Sequence, residues 1–210
     1  MYEYVESLFC NLKQEKGDIN EHLDTLKKLA SECDTVVELG VRWMVSIIAF
    51  VVSGCKSVNG YDFNHPNIYG DYRFKQVEDY CKKYNINFNF YQQDALKIED
   101  FPTCDLLFID TYHTFRELKC ELFLYHDKVK KYIVCHDTEI FANHDEKHWD
   151  IPSWFARYEN YPKILNLVDI NDQREGLKLA IDEFLKTHNN WKLTREYQNN
   201  NGLIILERTN

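Results

Sequence analysis

Five short apolar runs alternate with helix-like segments along this chain, and that alternation is its strongest constraint. The runs are Thr35–Leu39, Ser57–Asp62, Ile86–Tyr91, Cys104–Asp110 and Tyr132–Cys135. Between them, Tyr72–Tyr84 carries Phe74, Val77, Cys81 and Tyr84 on one helical face. Thr114 and Glu117 form a capping box before Phe115, Leu118 and Leu122. Met44–Val52 is apolar nearly all round, so periodicity leaves helix and strand open; the alternation favours a helix ended by Gly54. Parallel strands need crossover connections, and helices supply them. Such a chain is expected to form an open, mostly parallel α/β sheet with helices on both faces.

The ends complete this scheme. Asp18 and Glu21 are placed to cap a helix running to Cys33, with Leu23, Leu26, Leu29 and Ala30 on one face. Asp172 and Glu175 are placed to cap another through Leu177, Ala180, Ile181, Phe184 and Leu185. Trp191–Tyr197 and Leu203–Glu207 flank the turn Asn199–Gly202 and predict a terminal hairpin that adds one antiparallel strand. No repeat or linker interrupts the chain, so residues 1–210 are expected to form one domain, with 1–33 as a helical extension.

The formal charge of −9 argues against nucleic acid, whose nonspecific binding rests on Lys and Arg neutralising phosphates. No apolar run approaches the roughly 20 residues of a membrane span. The seven cysteines are dispersed, with no CxxC pair, and read as reduced core residues. With acidic residues in MYEYVESLFC where a secretory signal would be basic, these features predict a cytoplasmic protein, with homo-oligomerisation left open.

In open α/β sheets, ligands sit beyond the carboxyl ends of the strands. Here those ends carry Gly40, Asp62, Asp94, Asp110 and His136-Asp137. One acid at a strand end often only caps the next helix. Acids at four successive ends facing one crevice make a site. Asp62 follows Gly40 by close to the roughly 20 residues at which a second-strand acid reaches ribose hydroxyls. Asp94 could meet an adenine edge. Asp110 and Asp137 converge where a reacting group would sit and could hold a hard divalent cation. His113 is placed to project over them as a general base, or else is a surface histidine at a helix start.

The first strand runs into ELGVRWMVS (38–46), a turn with one glycine where cofactor loops usually carry two or three; Trp43 and Met44 stand where another is expected. Together with GYDF, DLLFIDTYHTF, IVCHDTE and IDEFL…NNNGLIILER, this stretch resembles the class I S-adenosylmethionine-dependent methyltransferases. The similarity is to the small-molecule O-methyltransferase branch of cephalosporin-hydroxylase-like and macrolide-sugar enzymes, over about residues 30 to 208. It implies a seven-stranded Rossmann-like sheet with its last strand antiparallel. It also implies that Glu38 and Gly40 sit under the methionine part of the cofactor, that Asp62 holds ribose, that Asp94 lies near adenine, and that Ser46 and Asp110 bind the cofactor as well. Asp110 and His113 would be catalytic. Asp110 and Asp137 would be metal ligands, joined by His136, for magnesium or manganese where a metal is used.

Met44, Thr111 and His136 depart from the family pattern; relatives often have glycine at the first two positions, and some metal-dependent ones a second acid at the third. Met44 is expected to turn into the helix–sheet core and leave the cofactor pocket open. The aromatic segment from Trp149 to Tyr161 is expected to be a lid or stacking wall, or to pack onto the sheet or a subunit partner. The leading expectation is methyl transfer to a hydroxyl of a small molecule, a sugar or sugar-nucleotide ahead of a catechol. The alternatives are a methyltransferase-like binding or scaffold protein and, with less support, an NAD-linked oxidoreductase.

Overall fold

The computed structural model describes residues 4–69, 72–147, 157–169 and 172–209. Seven strands form one sheet: β1 Thr35–Leu39, β2 Ser57–Asp62, β3 Asn87–Gln92, β4 Cys104–Ile109, β5 Val129–His136, β6 Trp191–Tyr197 and β7 Leu203–Arg208. Their order is β3-β2-β1-β4-β5-β7-β6. Pairings among β1 to β5 are parallel, and β7 runs antiparallel to both β5 and β6. This is the seven-stranded Rossmann-like sheet with a C-terminal antiparallel hairpin that the resemblance implies.

Side chains alternate along the central strands between two cores, as the pleat requires. Val36, Leu106, Phe108 and Val134 face one core with the helices α1 Tyr4–Leu12, α2 Leu23–Ser31, α3 Val45–Val51 and α4 Arg73–Tyr84. Val37, Leu107, Ile109 and Ile133 face the other, with α5 Phe115–Tyr125 and a long C-terminal helix. A four-residue turn of helix, α6 Pro162–Leu165, precedes that last helix, α7 Leu177–Thr187. Six of the seven cysteines are buried and all seven are free thiols. No helix among the described residues is long and apolar enough to cross a membrane.

Two helix starts differ from the sequence expectation. Asp18 and Glu21 do not cap α2; a 3-10 turn, Asn20–His22, precedes it, and His22 occupies the cap without a side-chain bond. The tip of the β6–β7 hairpin holds this segment instead. Asn200 Oδ1 accepts from Glu21 N at 2.9 Å, and Asn200 Nδ2 donates to Gly17 O at 2.7 Å. Nor do Asp172 and Glu175 cap α7, which begins after Gly176. Asp172 bonds to Arg174, while Asp145 Oδ1 accepts from Gly176 N at 2.9 Å and from Phe115 N at 2.7 Å. One carboxylate thus pins the approach to two helices, which no local sequence pattern reveals. The Thr114 cap of α5 is formed as expected, accepting from Glu117 N.

Candidate active site at the carboxyl edge of the sheet

Beyond the ends of β1, β2, β4 and β5 lies a cavity of about 290 Å³. Its floor is the turn after β1. Gly40 has φ +85°, and a Cβ there would lie 1.9 Å from the carbonyl oxygen of Asp110. The glycine is therefore required by the close approach of the neighbouring strand, whatever ligand the turn receives. Two more residues of the turn are left-handed, Arg42 at φ 41° and Met44 at φ 62°. Residues 40, 42 and 44 thus all hold positive φ, with glycine only at the first. The second strained position is Arg42, not the expected Trp43. Met44 is 1 % exposed and packs with Ile47 and Phe50 in the first core, so its side chain turns away from the cavity as anticipated. Each non-glycine residue held left-handed costs roughly 1–2 kcal/mol.

Asp62 closes this turn. Its Oδ2 accepts from Val41 N and Arg42 N, both at 2.8 Å, and its Oδ1 accepts from Asn64 N at 2.8 Å. One oxygen is committed to the loop, and Oδ1 keeps acceptor capacity toward the cavity it lines. Ser46, at the start of α3, also lines the cavity and donates to Glu38 Oε1 behind it. Glu38 is fully buried, and its Oε2 has no hydrogen-bond partner. Burial pushes its carboxyl well above the usual range; the Ser46 hydrogen bond opposes this, and the charges of Asp110 and Asp62 add to it.

Asp94 lies just outside the cavity wall, which Gln93 and Ala95 form on either side of it. Its Oδ1 accepts from Leu96 N at 3.0 Å, capping a 3-10 turn, and from the Tyr158 hydroxyl at 3.2 Å. Tyr158 is fully buried, so this part of the aromatic segment packs into the fold. Its neighbour Arg157 lines the cavity with its guanidinium 4.7 Å over the Phe63 ring. Trp149, Trp154 and Phe155 lie outside the described residues.

At the other end of the cavity, three carboxylates surround His113. Its Nε2 lies 2.8 Å from Asp137 Oδ2 and 3.3 Å from Asp110 Oδ1, and its Nδ1 lies 2.8 Å from Glu146 Oε2. The ring is stacked on Phe141 at 5.0 Å, only 6° from parallel. Burial favours the neutral ring, but hydrogen bonds to Asp110, Asp137 and Glu146 outweigh it and raise the His113 pKa well above its usual value. Burial would likewise raise Asp110, yet His136 and His113 hold it well below the usual carboxylate range. Glu146 gives no sequence signal, because it reaches His113 from a loop 33 residues away.

His136 lies on the far side of Asp110. Its Nδ1 is 3.2 Å from Asp110 Oδ1, and its Nε2 faces the carbonyl oxygens of Asp18 and Asn200 at 3.1 and 3.3 Å. Burial alone would lower its pKa, but Asp110 and Asp137 raise it to about 9. Ligand atoms of Asp110, His113 and Asp137 all lie within 4.8 Å of one another. His136 is not in that group. Asp137 Oδ1 is buried without a hydrogen bond, 3.5 Å from His136 Nδ1. Thr111, at the other glycine-favoured position, donates to the buried Glu121 at 2.7 Å.

No protein-family model matches the chain, and no curated protein does. Solved structures share its fold. The O-methyltransferase TomG from Streptomyces achromogenes, in complex with SAM, aligns over 91 % of this chain and 81 % of its own, with TM-score 0.55 and 11 % identity. The SAH-bound methyltransferase PaMTH1 from Podospora anserina aligns over 100 % and 86 %, with TM-score 0.52 and 12 % identity. The N-methyltransferase NodS from Bradyrhizobium japonicum aligns over 92 % and 97 %, with TM-score 0.51 and 9 % identity.

Proposed function

We propose that this protein is an S-adenosylmethionine-dependent methyltransferase acting on a hydroxyl of a small molecule. The observation that carries the reading is one continuous cavity that joins the strained β1 turn, Ser46 and Asp62 to the cluster around His113. The donor set fits the cofactor. Glu38, Gly40 and Ser46 would hold the methionine end, where the orphaned Glu38 oxygen offers an acceptor behind Ser46. The free capacity of Asp62 Oδ1 suits a ribose hydroxyl, and the Gln93–Ala95 turn suits adenine. The sulfonium, when bound, supplies an electrophilic methyl group.

The chain's own residues would then align an acceptor oxygen and take its proton. His113, with its ring deprotonated, is the base in this reading, and Asp110, Asp137 and Glu146 stabilise the imidazolium that results. The doubly hydrogen-bonded ring in the structure corresponds to that later state. Held geometry supplies the effective concentration. If a divalent cation takes part, Asp110 and Asp137 would hold it, and it would lower the pKa of the acceptor hydroxyl.

A neutral polyol such as a sugar suits the reacting end, where Asp18, Asp110, Asp137 and Glu146 line the wall. An acceptor's phosphates would be repelled there and would lie better toward Arg42 and Arg157. The test is methyl transfer from methyl-labelled S-adenosylmethionine to a panel of sugars and catechols. Label should enter an acceptor with wild-type protein and be lost in Asp110→Ala and His113→Ala. Equal labelling in wild type and variants would reject the assigned roles.

Arg42 and Met44 at the left-handed positions favour a second reading, a binding or scaffold protein of the same fold. It requires that no acceptor be methylated although the cofactor binds. A nicotinamide-linked oxidoreductase would show greater thermal stabilisation by NAD than by S-adenosylmethionine.

A further inference from the structure

We infer that His113, held by Glu146, is itself a ligand of a first-row divalent cation at the reacting end, completing a face with Asp110 and Asp137. The inference deepens the methyltransferase reading, in which His113 is only a base. Neighbouring ligands of an octahedral ion, with bonds near 2.1 Å, lie about 3.0 Å apart. His113 Nε2 lies 2.8 Å from Asp137 Oδ2 and 3.3 Å from Asp110 Oδ1, so both measured edges are already those of a coordination face. All three ligand atoms lie within 4.8 Å of one another, so one cation could reach each of them where the paired proton now sits.

The support around this face is that of a ligand. His113 Nδ1 meets Glu146 Oε2 at 2.8 Å, the carboxylate–histidine arrangement that fixes a metal-binding imidazole and raises its donor strength. Glu146 is fixed in turn. Its N–H donates to His113 O at 2.8 Å, and the preceding Asp145 accepts from Phe115 N and Gly176 N. Phe141 stacks flat on the ring and prevents rotation. Asp137 Oδ1 is buried without a hydrogen bond, so this carboxylate keeps acceptor capacity beyond its contact with His113. His136 is a poor ligand by comparison, since its Nε2 is spent on two carbonyl oxygens and its Nδ1 faces Asp110.

One nitrogen and two carboxylates favour manganese, iron, cobalt or zinc over magnesium, which prefers oxygen alone. Proton and cation are alternatives at His113 Nε2; with the cation bound, the acceptor hydroxyl would be acidified by it and lose its proton to solvent, and the ring would be the base in metal-free protein. Glu146 is a positioning residue; it need not touch the cation.

Manganese(II) binding followed by electron paramagnetic resonance tests this, since free manganese is counted directly and an imidazole ligand imprints nitrogen hyperfine coupling. Wild-type protein should bind manganese with that coupling. His113→Ala and His113→Gln should lose the coupling and bind at least about tenfold more weakly. Glu146→Gln should keep the coupling and weaken binding roughly tenfold or more. The rival outcome has the opposite sign: if His113 is only a paired cation, removing it frees three carboxylates, and manganese binds as tightly or more tightly. That result, absent nitrogen coupling in wild type, or no manganese binding would overturn the inference. S-adenosylhomocysteine binding is measured on the same samples. If it binds without nitrogen coupling, this inference fails alone; if it does not bind to folded protein, the methyltransferase reading fails whatever manganese does. Should the His113 variants not fold, the wild-type coupling and Glu146→Gln still decide.

Discussion

The Cα of Gly40 faces the Asp110 carbonyl so closely that an alanine Cβ would come within 1.9 Å of its oxygen. Backbone bonds join β1 to its two neighbours here: Asp110 N donates to Leu39 O at 2.9 Å, and Gly40 N donates to Tyr61 O at 2.8 Å. Three strand ends are thereby fixed around the cavity by one missing side chain.

Gly40→Ala should therefore destabilise the protein by about 3 kcal/mol, from a left-handed alanine and a forced backbone shift together. Urea denaturation measures it. A loss under 1 kcal/mol would show that the strand ends separate easily.

Arg42 and Met44 share Gly40's backbone hand but differ in burial. Arg42 is exposed, so Arg42→Gly should leave stability unchanged or raise it by up to about 1 kcal/mol, as relief of strain offsets the flexibility of glycine in the unfolded chain. Met44 is buried, and Met44→Gly should lose about 2 kcal/mol despite the same relief, because a cavity opens under α3. Thermal denaturation of the two variants should move in these separate directions.

The sheet was legible because its evidence is local: Leu106–Ile109 is apolar and ends on a carboxylate, and Asn199–Gly202 has hairpin chemistry. Asp62, Asp110 and His113 were legible as site candidates because strand ends converge in such a fold. Glu146 and Asp145 were not, since each acts about thirty residues from its partner. Asp94 illustrates the other limit. A carboxylate after a strand can meet a ligand, cap the next turn or do both, and only the bond to Leu96 N reveals the cap. The two mistaken helix caps fail for the same reason as Glu146 was missed: Asn200 and Asp145, remote in sequence, do the work.

His126 gives the fold an acid sensitivity. Burial beside Phe184 and repulsion from His188 push its pKa down to about 4. The unfolded chain therefore binds a proton that the folded one refuses between about pH 6.5 and 4. This contribution to stability is intact above pH 6.5 and lost as pH falls toward 4. For a half-buried ring screened by solvent it is about 1–2 kcal/mol. Denaturation at pH 7.5 and 4.5 should show a smaller loss in His126→Phe than in wild type. An equal loss in both would contradict the assignment.

Glu38 separates folding from binding. Burial favours its neutral carboxyl, so Glu38→Gln should alter stability by less than about 1 kcal/mol, the amide replacing the acid at similar size. Cofactor affinity should nonetheless fall about tenfold, because the cationic methionine end would draw the buried carboxyl into its ionised form and the amide cannot supply that charge-assisted hydrogen bond. A large stability loss in urea, or unchanged affinity by calorimetry, would remove Glu38 from the cofactor site.

The most direct test of the whole account is titration calorimetry of S-adenosylhomocysteine into wild-type protein and Asp62→Ala, with NAD as the control ligand. The account predicts saturable one-to-one binding to wild type, at least tenfold weaker binding to Asp62→Ala, and no heat from NAD. Folded wild-type protein that binds no S-adenosylhomocysteine, or that prefers NAD, would contradict it.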